Sequence, residues 1–196
     1  MSAITILGLG PGSPALLTRQ AWEVLSQAPE IWVRTAQHPT LEGLPASVQV
    51  HAFDDLYERL PSFPQVYEAI VERVLHLGKR PQGVIYAVPG HPYVAEATAP
   101  EIVRRARQEG IPVHLVEGLS FLEPVFTALG VDPFPRLSLE DALTLGGLHV
   151  PDFPPDSPAL ITQIYDRHTA SEVKLTLSAV YPDEHPVKLV HAAGTE

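Results

Sequence analysis

Apolar and polar positions in this chain follow two alternating periods. "AITILGL" (residues 3–9) is almost continuously apolar, the pattern of a strand buried on both faces. From Pro14 to Ala28 the apolar residues return at near-helical spacing, with Ser13 placed to cap and Pro14 in the first helical turn. "EIWVRT" (30–35) and "SVQVHAF" (47–53) predict two further strands, the latter by its alternation. "SFPQVYEAIVERVLHLG" (62–78) predicts an amphipathic helix that ends at Gly78, where a left-handed cap fits. "GVIYAV" (83–88) reads as a buried strand. Residues 93–110 read as a helix that Pro100 kinks or splits, since proline lacks an N–H and crowds the preceding turn. "PVHLVEG" (112–118) and "LSFLEPVFTALG" (119–130) add a strand and a helix. Strands alternating with helices predict an α/β fold with a mostly parallel sheet.

The pattern changes after residue 130. Residues 131–158 are richer in proline and glycine and predict a join between two lobes, with a short helix near Leu139 to Leu145. "ALITQIYD" (159–166) predicts a strand, "TASEVKLTLSAVY" (169–181) a helix and "PVKLVHAAG" (186–194) a last strand. The reading is thus an N-terminal α/β lobe over 1–130, a join over 131–158 and a C-terminal lobe over 159–196. A lobe that ends on a central-looking strand leads us to expect a polypeptide that continues beyond Glu196.

Composition narrows the function classes. The 196 residues carry 13 Lys and Arg against 23 Asp and Glu, a net charge of −10. Such acidity argues against a nucleic-acid partner, whose backbone needs a basic surface. There is no cysteine, which excludes disulfides, thiolate metal sites and cysteine nucleophiles. No apolar run approaches the roughly 20 residues that span a bilayer, and no basic, long-cored leader opens the chain. The expectation is a soluble cytoplasmic protein without membrane contact.

Candidate chemistry lies in the loops that leave the carboxyl ends of the predicted strands, where open parallel sheets bind ligands. They are "GLGPGS" (8–13), "VPGHPYV" (88–94) and "VEGLSF" (116–121), with "AAGT" (192–195) after the last strand. Gly8, Gly10 and Gly12 come near a dinucleotide fingerprint, but Ser13 stands where its third glycine belongs and Pro11 removes an N–H from the loop. Arg34 ends the second strand in place of a ribose-binding acid, which leaves a phosphorylated nucleotide cofactor as one reading. A turn that merely lets the first helix pack on the first strand is another.

Together these loops resemble the tetrapyrrole (corrin/porphyrin) methylase family of S-adenosylmethionine-dependent methyltransferases. "GLGPGSPALLT" is similar to the family's opening strand, loop and helix, "YAVPGHPYV" stands at its G-D-P loop, and "VEGLSFLEPVFTALGVD" resembles its P-G-[VI]-[TS]-S helix entry. "VRTAQHPTLEGL", "YAVPGHPYVAEAT" and "QIYDRHTASEVKLTL" further resemble the YabN-like subgroup, in which a methylase-like domain precedes a MazG-type nucleoside triphosphate pyrophosphohydrolase. The chain has no E-x-x-E helix of the MazG type, so that activity is not expected of these residues. The resemblance implies two α/β lobes, the second with a mixed sheet, a ligand cleft between them, and a homodimer. It implies S-adenosylmethionine as cofactor and a small-molecule acceptor, a tetrapyrrole or another large, flat or extended molecule. Carried over residue by residue, it implies cofactor contacts at Pro11, at Pro89, Gly90 and His91, at Val94, at Ser120 and Phe121, at Ile164 or Tyr165, and at Ala193 and Gly194. His91 replaces the family's usual aspartate and Phe121 a small residue.

Methyl transfer from a sulfonium needs alignment of the acceptor rather than a nucleophile triad or a metal, and the chain shows neither. Tyr93, Glu96, Tyr165 and Asp166 lie near the relevant loops as candidate bases, none ranked as catalytic. Plainer readings stand beside these. His91 can cap the following helix, His38 can be a structural or surface histidine, and Asp54 and Asp55 can serve a helix N-terminus. Three readings remain: a methyltransferase; a non-catalytic small-molecule-binding or dimerisation module attached to a MazG-type domain; or a domain for a different ligand class, a phosphorylated nucleotide cofactor.

Overall fold

The computed structural model describes residues 3–195. They fall into two units. One runs from the N-terminus to Ala128 and includes the segment from Val190 onward; the other is Leu129–Leu189.

The first unit is built on five strands, β1 (Ile4–Gly8), β2 (Glu30–Val33), β3 (Gln49–Ala52), β4 (Val84–Val88) and β5 (Val113–Val116), in the order β3-β2-β4-β1-β5. Every neighbouring pair is parallel. Helices cover both faces, which is why β1 and β4 read as unbroken apolar runs. On one face Ile4, Ile6, Val84, Tyr86 and Val88 pack against α2 (Asp54–Arg59), α3 (Phe63–Gly78) and α4 (Thr98–Gln108). On the other, Leu7, Ile31, Val33 and Ala87 pack against Ala21 and Leu25 of α1 (Arg19–Gln27). The period-2 split of each strand between the two cores follows from the pleat.

Several boundaries differ from the sequence reading for local reasons. The single helix expected over 14–28 is a 3-10 turn (Pro14–Leu16) followed by α1, because Thr18 is extended and its hydroxyl caps the Ala21 N–H at 3.1 Å. The helix expected over 93–110 begins only at Thr98. Pro100 falls in its first turn, where a missing N–H costs nothing, so it neither kinks nor splits α4. Residues 91–97 instead form a turn that includes Ala95 at φ 52°. After β5, α5 (Leu122–Leu129) closes the unit's helices.

The second unit contains β6 (Ser138–Asp141), α6 (Ala142–Gly146), β7 (Ala159–Thr162) and α7 (Arg167–Leu177). Its core is Ala142, Leu145, Phe153 and Val173. The segment 131–158 is therefore not a join: it supplies a strand, a helix and three of these core side chains. β6 pairs with β7 in parallel, so the sheet formed by the described residues is a parallel pair rather than a mixed sheet. The strand expected over 186–194 is absent. Val187 and Leu189 are exposed, and residues from Val190 onward belong to the first unit, where the Ser13 N–H donates to the Gly194 carbonyl at 2.7 Å. No helix among the described residues is long and apolar enough to cross a membrane.

Gly78 shows how tightly α3 seats on the sheet. A Cβ there would overlap Ile4 Cγ1, a fully buried β1 side chain. Gly→Ala in a helix ordinarily gains up to about 1 kcal/mol, whereas overpacking a core costs about 1–3 kcal/mol. Gly78→Ala is thus expected to lower the urea-unfolding free energy. In the double variant Ile4→Ala/Gly78→Ala the total loss should be smaller than the sum of the singles, since the colliding atom is gone.

Candidate functional site

The crossover from β1 to β2 runs over one face through α1, and that from β4 to β5 over the other through α4. β1 and β4 are neighbours, so the crevice beyond their carboxyl ends is the switch point at which such sheets bind ligands. The first two glycine loops meet there in a two-residue bridge: Gly90 N–H donates to the Gly10 carbonyl at 2.8 Å, and Gly10 N–H to the Gly90 carbonyl at 3.3 Å. The third loop joins by backbone packing. A Cβ on Gly118 would lie 2.5 Å from the Gly90 oxygen and 2.9 Å from Gly8 Cα, and a Cβ on Gly8 would lie 2.5 Å from the same oxygen. Gly90 is different. At φ +70° its hypothetical Cβ meets nothing closer than Ser120 Cα at 4.0 Å, so one glycine of the cluster faces open ground while the others are packed shut.

The fourth loop closes against the first. A Cβ on Gly194 would meet Pro11 Cγ at 2.9 Å and Pro124 Cγ at 2.8 Å, and one on Gly12 would meet Thr195 Cγ2 at 2.8 Å. The Thr40 hydroxyl, fully buried, fixes the first loop from β2's side, with its proton shared between the carbonyls of Leu9 (3.0 Å) and Gly12 (2.7 Å). Pro11, Pro89, Gly90, His91, Val94, Ser120, Phe121, Ala193 and Gly194 all belong to the first unit. Ile164 and Tyr165 belong to the second, directly after β7, and both are exposed.

Two of the candidates have polar groups already committed. His91 Nδ1 accepts from the Tyr93 N–H at 3.0 Å, so the neutral ring carries its proton on Nε2. The histidine caps its own turn rather than α4, and presents a donor where an aspartate would present an acceptor. Ser120 forms a capping box with Glu123: the Ser120 N–H and hydroxyl both donate to Glu123 Oε2 at 2.8 Å, and its Oγ accepts from the Leu122 N–H at 3.0 Å. The Ser120 hydroxyl proton is thus committed to Glu123, while Ser120 Cα lies 4.0 Å from where a Gly90 Cβ would stand.

Beside the glycine cluster lies a polar network that sequence reasoning did not assemble. Glu96, with its side chain 1% exposed, pairs through Oε2 with Nη1 of Arg34, which follows β2. Its Oε1 accepts from the Thr98 N–H (2.8 Å), the Thr98 hydroxyl and the Ala99 N–H (3.3 Å), and Thr98 Oγ1 lies 2.9 Å from the Tyr86 hydroxyl. Burial opposes the Arg34 charge, but Glu96 and nearby tyrosines outweigh it and hold the guanidinium above its ordinary value. Glu96 is therefore a structural acceptor and not a free base. Asp166 is equally committed, capping α7 through the Thr169 N–H at 2.7 Å. Asp54 accepts from the Thr35 hydroxyl at 2.6 Å and the Ala36 N–H at 2.7 Å, which ties α2 to the loop after β2. His38 in that loop is buried, with Nδ1 lacking a partner. Only the "R-T" after β2 and the early glutamate before α4 hinted at this network, and their partnership depends on the strand order. No cluster of His, Asp and Glu among the described residues is arranged to hold a metal ion.

The profile of the Tetrapyrrole (Corrin/Porphyrin) Methylases matches residues 3–196. The chain belongs to this family. Among curated relatives, the chain is 39% identical over 193 residues to the uncharacterised protein YabN of Bacillus subtilis, covering 98% of this chain and 39% of YabN. It thus spans well under half of that relative's length. Among solved structures, it is similar to uroporphyrin-III C-methyltransferase of Thermus thermophilus, with a TM-score of 0.59 and 24% identity over 76% of this chain and 64% of that one. It is also similar to diphthine synthase, with a TM-score of 0.50 and 21% identity over 72% of this chain and 55% of that one. At these identities the structural likenesses show the tetrapyrrole-methylase fold.

Two outcomes follow from the loop packing. Gly118→Ala forces backbone against backbone with no flexible atom to yield, so it should unfold at markedly lower urea than Gly90→Ala. The latter pays chiefly for its left-handed backbone, about 1–2 kcal/mol. Burial also pushes the His38 imidazole below its ordinary 6.5, with the Gly10 backbone opposing and Arg34 adding to the shift. The unfolded chain therefore takes up this proton first as pH falls through about 6.5, and stability drops toward the lower folded value. Urea midpoints between pH 7.5 and 5 should show wild type losing stability more steeply than His38→Gln.

Proposed function

We propose that this chain is an S-adenosylmethionine-dependent methyltransferase domain whose cofactor rests on the open ground above Gly90. The observation that carries this reading is the contrast within the glycine cluster: Gly8 and Gly118 are packed shut, while Gly90 alone leaves room for a ligand to approach the backbone. A floor of backbone and small residues fits a cofactor recognised chiefly by main-chain groups. Pro11, Pro89, Gly90, His91, Val94, Phe121, Ala193 and Gly194 of the first unit would hold it, with Ser120 beside Gly90. The bound cofactor supplies an activated methyl group, and the chain's own task is to orient the acceptor and exclude water. The family resemblance implies a small-molecule acceptor of the tetrapyrrole type and a homodimer, which belong to this proposal.

A second reading has one observation in its favour. With Glu96 locked and His91 presenting Nε2–H in place of a carboxylate, the loops offer a donor where the family places an acceptor. This suits a domain that binds a small molecule, or that dimerises, beside a MazG-type domain in a longer chain.

Thermal unfolding with S-adenosylhomocysteine tests both. A ligand at 100 times its dissociation constant stabilises by about 2.7 kcal/mol, and wild type should show such an upward shift in Tm. Gly90→Ala should lose most of the shift, because its Cβ occupies the cofactor's ground. No shift in wild type would sink the cofactor assignment. Binding without methylation of any tetrapyrrole would favour the second reading. His91→Asp should change the affinity; an unchanged value removes His91 from the cofactor contacts.

A further inference from the structure

The Arg34–Glu96 pair is asymmetric in a way that a purely structural ion pair does not need. Glu96 is enclosed and satisfied: its two oxygens accept from Arg34, from the Thr98 N–H and hydroxyl, and from the Ala99 N–H. The Arg34 side chain is 24% exposed against 1% for Glu96, so solvent reaches the cation and not its counter-ion. Among the described residues only its Nη1 has a side-chain partner, while Nε is buried without one. A guanidinium has five N–H donors in a fixed fork suited to planar oxyanions. Here the fork is immobilised by a buried carboxylate with most of its donors unspent.

Its surroundings also point to a ligand. Arg34 directly follows β2, its N–H held by the Ala87 carbonyl of β4 at 3.0 Å, so it stands at the carboxyl end of the sheet with the glycine loops. His38, four residues on and nine-tenths buried, has an unpartnered Nδ1. Tyr57 and Tyr67 from α2 and α3 are close enough to act on the Arg34 charge. Both are half-buried, and both pack on Phe63, at 6.3 and 6.1 Å between ring centroids. A held cation with open donors, an orphaned buried imidazole nitrogen and an aromatic flank make a built site on a chain of net charge −10.

We propose that Arg34 receives an oxyanion, a carboxylate or phosphate carried by the second ligand of this domain, with Glu96 as the positioning residue that aims the guanidinium and Tyr57 and Tyr67 flanking the ligand's body. This rests on the preceding reading only in taking the glycine loops as the cofactor's place; the oxyanion site is argued from its own residues. It assigns the acceptor a negative charge, and it places that charge on the β2 side of the site.

Isothermal titration of the full chain with two probes tests it: mellitate (benzenehexacarboxylate) for carboxylates and inorganic pyrophosphate for phosphates. Wild type should bind at least one of them, and the probe preferred identifies the source. Arg34→Lys keeps a charge for Glu96 but loses the fork, and should weaken that probe at least tenfold while S-adenosylhomocysteine affinity stays the same. Arg34→Gln alone leaves Glu96 buried without its partner and risks misfolding, so Arg34→Gln/Glu96→Gln is the companion variant, checked by its thermal transition; it too should lose the probe. Wild type that binds neither probe, or variants that bind as wild type does, would overturn the proposal. Should S-adenosylhomocysteine fail to bind wild type while the probe contrast holds, the cofactor reading falls and the oxyanion site stands.

Discussion

Three loops can leave adjacent parallel strands at the same point only if nothing stands between their backbones. Neighbouring strands are about 4.8 Å apart, and at the ends of β4, β1 and β5 the chain brings Gly90, Gly8 and Gly118 closer than any side chain permits. That contact sets the rest of the site. It holds the Gly90 carbonyl between two other glycines, pairs Gly90 with Gly10, and turns the remaining side of Gly90 outward. The tail then seats on the first loop through Gly194 and Pro11. Side chains at Gly8 and Gly118 would force these loops apart.

How much of this was legible in the sequence depends on the range of the interactions. Apolar runs declared β1 and β4, and helical spacing declared α3, because those signals are local. Resemblance of the loops also led to the family. The order β3-β2-β4-β1-β5 was not legible, since strand pairing is set by crossovers and not by any strand's own residues. With the order hidden, Arg34 and Glu96, 62 positions apart, read as unrelated charges. The segment 131–158 was misread for a related reason: its prolines and glycines signal turns, but Ala142, Leu145 and Phe153 between them carry the second unit's core. The expected strand over 186–194 had the right apolar pattern, but pattern alone forms no strand without a partner edge.

Site residues divide in the same way. The glycines and prolines were legible because backbone conformation and close approach restrict residue choice. The side chains were less so, because their roles turned on neighbours. Ser120 looked like a ligand contact and is half of a capping box. Glu96 looked like a candidate base and is the enclosed counter-ion of Arg34. His91 looked like an altered contact; its Nδ1 is held by the Tyr93 N–H, which leaves Nε2–H as the ring's free donor.

These reassignments bear on what chemistry the first unit can perform. The committed carboxylates, Glu96, Glu123 and Asp54, all accept bonds that fix a loop or a helix start, so none is free to take a proton from an acceptor without disturbing the scaffold. A methyl transfer run here would therefore depend on alignment, with the acceptor held by a charge at one end and the backbone loops at the other. Arg34 is suited to the first part because Glu96 neutralises its cost of burial without covering it. Gly90 is suited to the second because it adds no atoms of its own. On the proposed reading the site divides its work: charge would hold a ligand's position, and bare backbone would admit it.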